Sequence, residues 1–118
     1  IKEGVTTGYM WKEGGTFKTW NTRWFELRSG ILTYYTSSDM KSKKGSYDLS
    51  KCRIQPNEME TKSIAGVVAG AGDTVTDSAS DTELILHVDE GKRSLFKMRA
   101  LSKKEADLWR YQLEEWCY

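Results

Sequence analysis

A chain of 118 residues, 38% hydrophobic and 30% charged, has room for one closed core, because domains commonly run about 100–150 residues, and a single domain over residues 1–118 is expected. A formal charge of +1 argues against a nucleic-acid partner, which calls for a strongly basic surface. Two cysteines without metal-ligand spacing and a single histidine argue against a disulfide framework or a metal site, and favour a reduced, cytoplasmic setting.

The charge is unevenly spread. It is +5 over residues 1–53, −7 over 54–90 and +3 over 91–118. Such polarity can orient a nearly neutral protein toward an anionic surface. No apolar run approaches the roughly 20 residues that span a bilayer. The chain begins at Ile1, as expected of a piece of a longer protein, so an acyl anchor would lie outside it.

Residues 5–12 and 22–28 have strand composition and are joined by a Gly-containing loop. Strand periodicity puts Arg23, Phe25 and Leu27 on one face of the second strand, and Met10 with Lys12 on one face of the first. If Met10, Phe25 and Leu27 point into the core, Lys12 and Arg23 share that inward face at the ends nearest the loop. An unpaired charge is not tolerated in a dry interior. The two cations are therefore expected at the rim of an open mouth. Phe17 and Trp20 flank Lys18 in the loop. Phe17 beside a lysine suits insertion at a bilayer interface, whereas Trp20 is expected to brace the hairpin.

Ser29-Gly30 marks a turn, and residues 31–36 form a third strand dense in β-formers. A polar loop runs from Ser37 through Lys41, Lys43 and Lys44 to Gly45, before a fourth strand over 46–49 and a fifth starting at 51–54. Residues 56–82 read as a long flexible loop, small-residue rich at first and then acidic. No Lys-Ser/Thr pair follows its glycines, and its spaced aspartates lack the EF-hand glutamate, so neither a P-loop nor a calcium site is expected. A sixth strand over 83–88, a turn over 89–93 and a seventh strand over 94–100 follow. His87 reads as a plain strand residue.

Ser102 and Glu105 form a capping box, with Leu101 expected to staple Ala106. Ala106, Trp109, Leu113 and Trp116 then recur as one amphipathic stripe, which must pack on the end or side of the sheet. The expected fold is mainly β: a seven-stranded antiparallel, partly open barrel or sandwich capped by one C-terminal amphipathic α-helix.

This plan resembles the pleckstrin homology (PH) family over essentially residues 4–117. The likeness is carried by Gly8, Lys12, Gly14-Gly15, Trp20, Arg23-Trp24-Phe25, Leu27, Leu32 with Tyr34-Tyr35, Gly45 before Ser46-Tyr47-Asp48-Leu49, Met98 to Ala100, and Trp109. The resemblance implies a lipid headgroup site with Lys12, Lys18, Arg23, Tyr34 and Lys44 around one anion. Asn21 stands where many inositol-phosphate-binding members carry a basic residue. That departure leaves room for a simpler anionic lipid such as phosphatidic acid. The chain is also similar to the acylated apicomplexan subgroup that reads that lipid.

The expected function is a non-enzymatic, peripheral membrane-targeting module in signalling that binds phosphatidic acid or a phosphoinositide. The alternative is a protein–protein interaction module on the same scaffold. No nucleophile–base pair, metal cluster or cofactor fingerprint is present in the sequence, so no catalytic residue, metal or cofactor is expected.

Overall fold

A computed structural model describes residues 4–14, 18–56 and 79–118. Phe17 and residues 57–78 of the expected 56–82 loop lie outside the described residues.

Among the described residues, seven strands form one antiparallel sheet: β1 (Val5–Glu13), β2 (Trp20–Arg28), β3 (Ile31–Tyr35), β4 (Lys43–Asp48), β5 (Cys52–Ile54), β6 (Glu83–Glu90) and β7 (Lys92–Arg99). Their order is β4-β3-β2-β1-β7-β6-β5. Two short helices of different kinds lie between strands, a 3-10 turn at Leu49–Lys51 and α1 (Ala79–Thr82). The longer α2 (Lys103–Glu114) follows β7. The sheet is thus open between β4 and β5, as a partly open barrel requires.

Details differ from the sequence reading, beginning with β2, which starts at Trp20 rather than Thr22. β4 begins at Lys43 rather than Ser46, so two lysines expected in a loop stand on an edge strand. β6 and β7 pair out to Glu90 opposite Lys92, and the reversal falls on Gly91 alone at φ +81°. The end of the expected long loop is helical, because residues 79–82 form α1.

Alternation decides the core. Met10, Phe25, Leu27, Leu32, Leu84, Leu86, Phe96 and Met98 all point inward and are buried. α2 supplies Ala106, Trp109 and Leu113 to the same cluster. Its cap forms as the sequence demands, with the Glu105 N–H donating to Ser102 Oγ at 3.2 Å. Leu101 does not act as a staple: it stands 52% exposed, because the chain leaves β7 with that side chain toward solvent.

α2 closes one end of the sheet. Thr6 Oγ1 meets Gln112 Oε1 at 3.4 Å, and Trp116 covers the β2–β3 turn. There Gly30 has φ +79°, and a Cβ would come within 2.8 Å of the Trp116 ring, so glycine is required on both conformational and steric grounds. Arg110 ties the helix to the strands by donating to the carbonyls of Gln55 at 2.7 Å and Glu83 at 3.4 Å. The other end of β1, where Lys12 lies, is left open.

Candidate functional site: a cationic mouth beside the β1–β2 hairpin

The register explains how two cations reach one place. Met10 pairs with Arg23 and Lys12 with Asn21. Directly paired residues share a face, so Arg23 and Lys12 lie diagonally on the inward side. Lys12 is half-buried. Its Nζ lies 4.9 Å from the Phe96 ring centroid and 5.5 Å from that of Tyr34. Aromatic faces attract a cation, but they replace water incompletely.

The hydrogen bonds of these cations are weak compensation. Lys12 Nζ donates to the Glu13 carbonyl at 2.8 Å, and Arg23 Nη1 donates to the Thr22 carbonyl at 2.9 Å. Among the described residues, neither forms a salt bridge. Desolvation holds the Lys12 ammonium below its usual pKa, the Arg23 charge lowers it further, and the nearby Glu13 carboxylate offsets part of that. The mouth therefore holds two like charges close together in a partly dry setting.

Tyr34 lies beneath the Lys12 ammonium. It stacks on Phe25 with centroids 5.6 Å apart, and its ring lies against Gly45, where a Cβ would approach Tyr34 Cε1 to 2.9 Å. Glycine at 45 is what lets this ring lie flat against β4. Burial raises the Tyr34 pKa, and Tyr47, coupled to it hydroxyl to hydroxyl, is pushed by burial up to about 12. Both phenols stay protonated at neutral pH and can donate hydrogen bonds.

A cavity of about 410 Å³ opens here, lined by residues that include Lys12, Gly14, Lys18, Tyr47, Ser94 and Lys97. Of the residues singled out in the sequence, Lys12 and Lys18 reach its wall. Lys18 is exposed, with φ 51°, in a loop closed by the Gly14 N–H donating to the Thr19 carbonyl at 2.7 Å. Arg23 and Tyr34 lie behind Lys12 rather than in the wall. Lys44 is exposed and is the extra residue of a bulge, since Tyr34 pairs with Gly45 and Tyr35 with Lys43. It does not line the cavity.

Sequence reasoning missed Tyr47, Ser94, Phe96 and Lys97. Ser94 and Phe96 alternate along β7 just as Met10 and Lys12 do along β1, and that period was the available signal. The pairing of Lys12 with Met98 is what brings β7 to the mouth.

The opposite face of the hairpin is structural. Tyr9 meets Trp24 edge-on at 4.9 Å, its hydroxyl accepts the Ser38 N–H at 3.1 Å, and the Arg99 guanidinium covers the half-buried Trp20 ring at 4.2 Å. Among the described residues, no helix is long and apolar enough to cross a membrane.

Residues 4–118 match the family description "PH domain". "Differentially expressed in FDCP 6 homolog" of Danio rerio is 33% identical over 119 residues, covering 89% of this chain and 19% of that protein. "Switch-associated protein 70" of Gallus gallus is 46% identical over 57 residues, covering 48% of this chain and 10% of that protein. The chain thus spans a fifth or less of the length of these relatives. Among solved structures, the Slm1 PH domain, which binds ligand in a non-canonical site, is similar with a TM-score of 0.71 at 16% identity, covering 96% of each chain. The C-terminal PH domain of pleckstrin in complex with D-myo-Ins(1,2,3,5,6)P5 is similar with a TM-score of 0.68 at 16% identity, covering 100% of each chain.

Proposed function

This chain belongs to the PH domain family, whose members are non-catalytic binding modules, and from that membership we propose that it targets membranes by taking the phosphate of an anionic phospholipid headgroup into the mouth beside the β1–β2 hairpin. The observation that carries the reading is the state of Lys12. Its ammonium is half-buried over two rings, held below its usual pKa, next to a second cation and without a salt bridge among the described residues. An arriving phosphate would relieve both the desolvation and the like-charge repulsion.

Lys12 and Lys18 contact the phosphate from the cavity wall, and Tyr47 offers a hydroxyl. Arg23 acts from behind Lys12 through its charge, and the Tyr34 ring supports the ammonium from beneath. Lys44 adds to the field from the bulge, and Phe17 supplies an aromatic side chain for the bilayer interface. Each cation near an anionic leaflet contributes about 1 kcal/mol, so four give an affinity near millimolar. Burying one aromatic adds about 1.5–3 kcal/mol. Association is therefore reversible and salt-sensitive, at the periphery of a cytoplasmic membrane. Asn21 pairs with Lys12 and brings no charge, which favours a simple headgroup such as phosphatidic acid over a multiply phosphorylated inositol.

The test is sedimentation with vesicles carrying phosphatidic acid, individual phosphoinositides or phosphatidylserine. Binding that is unchanged in both Lys12→Ala and Arg23→Ala would falsify the site. A second reading, docking of a peptide or protein, is favoured by Leu108 and Tyr111, exposed three residues apart on the outward side of α2. Failure to bind any vesicle, together with capture of a protein partner lost in Tyr111→Ala, decides for it.

A further inference from the structure

Two thiols meet where the C-terminal turn reaches β5. Cys52 begins that strand and is wholly buried, with its Sγ donating to the Asp48 carbonyl at 3.5 Å. Cys117 is half-buried and packs against the same core. The backbone brings them side by side. The Tyr118 N–H donates to the Cys52 carbonyl at 3.1 Å, while the Cys117 N–H donates to the Leu113 carbonyl at 3.1 Å. The Cys117 thiol also meets the backbone of Ile54, two residues along the same strand edge. One backbone hydrogen bond thus ties the residue after Cys117 to Cys52, the residue that begins β5. A disulfide needs α-carbons about 4.4–6.8 Å apart.

We propose that Cys52 and Cys117 are an oxidation site: on meeting a low-molecular-weight disulfide such as oxidised glutathione, they close an intramolecular disulfide that fastens the end of α2 to β5. Burial dictates the sequence of steps. Cys52 is out of reach of any reagent, so the Cys117 thiolate attacks one sulfur of the small disulfide, forms a mixed disulfide and expels one thiolate. Cys52 then gives up its proton and its thiolate attacks Cys117 Sγ, expelling the second small thiolate. The two protein thiols lose two electrons and two protons, and the small disulfide is reduced to two thiols.

The first step is slow at neutral pH. Burial, then the neighbouring Cys52 and the Glu114 carboxylate, push the Cys117 thiol up to about 11, and the thiolate is the attacking species. The rate should climb about tenfold per pH unit below that value.

The experiment treats the purified chain with excess oxidised glutathione at about pH 8.5, unfolds it in denaturant containing iodoacetamide so that every remaining thiol is alkylated, and reads the intact mass. The expected product is lighter than the reduced chain by about 2 Da, takes up no alkyl group, and yields a linked peptide pair containing Cys52 and Cys117. Its unfolding midpoint rises by roughly 5–15 °C and returns on reduction. Cys52→Ser should stop at the mixed disulfide on Cys117. A wild-type chain that stops at the mixed disulfide, cross-links to a second chain, or keeps two alkylatable thiols overturns the proposal.

Discussion

The two ends of this sheet solve opposite problems with the same strands. At the end near Thr6 and Gly30, α2 lays Trp109, Leu113 and Trp116 over the core, and what is buried there is apolar. At the end near Lys12 and Asn21, the inward positions that continue those same rows carry an ammonium, a guanidinium and two phenols. Moving two residues along β1, from Met10 to Lys12, takes the chain from a fully buried core position to a half-desolvated cation. One end therefore contributes stability, and the other gives some of it up for a place where an anion can bind. Substitutions should separate the two.

The largest effect is expected at the closed end. Trp109→Ala removes a buried ring that packs on Gly8 and stands 6.4 Å from Phe25, at a cost of about 3–5 kcal/mol. Chemical denaturation should show that loss, and vesicle binding should fall only in step with the unfolded fraction. Binding lost at denaturant concentrations where the variant is still folded would break the division between the ends.

Lys12→Met should do the reverse. The thioether can keep the contacts with Tyr34 and Phe96 while the desolvated charge is gone. Partition onto anionic vesicles should drop about fivefold, and the unfolding midpoint should rise rather than fall. A variant that loses both binding and stability would show that the ammonium supports the fold.

Ser102→Ala tests whether α2 is held by its stripe or by its cap. Loss of the Ser102–Glu105 bond should cost about 1 kcal/mol by thermal melting and leave vesicle binding untouched.

The smallest expected signal is a slope against pH. The folded chain holds Lys12 below its ordinary 10.5, so the unfolded chain binds that proton more tightly. This residue's contribution to stability therefore rises as the pH climbs from the lowered value toward 10.5. Phosphate binding favours the charged ammonium and should weaken over the same window. Vesicle binding compared between about pH 7 and about pH 10 should fall more steeply for the wild type than for Lys12→Met.

How much of this was legible follows from the range of each signal. The inward placing of Lys12 and Arg23 rests on a period of two within one strand, so it could be read from β1 and β2 separately. The α2 stripe and its serine cap are equally local. Tyr47 and Phe96 belong to the mouth only because β4 and β7 arrive there, and that needs the pairings Leu32–Tyr47 and Lys12–Met98, which no single strand encodes. Lys43 reads as loop because edge strands tolerate lysine where central strands do not. Lys44 lies on a bulge, whose single added residue shifts the facing of everything after it. Leu101 fits the staple pattern, yet the path of the chain out of β7 turns it away.

The placement of the five indoles has a practical consequence for spectroscopy. Trp11, Trp20 and Trp24 lie on the outer side of the hairpin, Trp109 is on the core side of α2 and Trp116 lies just past its end, and none is in the wall of the mouth cavity. Intrinsic fluorescence should report melting of this protein with a large red shift, yet change little when an inorganic phosphate or a soluble headgroup enters. A probe attached near Lys18 would serve ligand titrations better than the native emission.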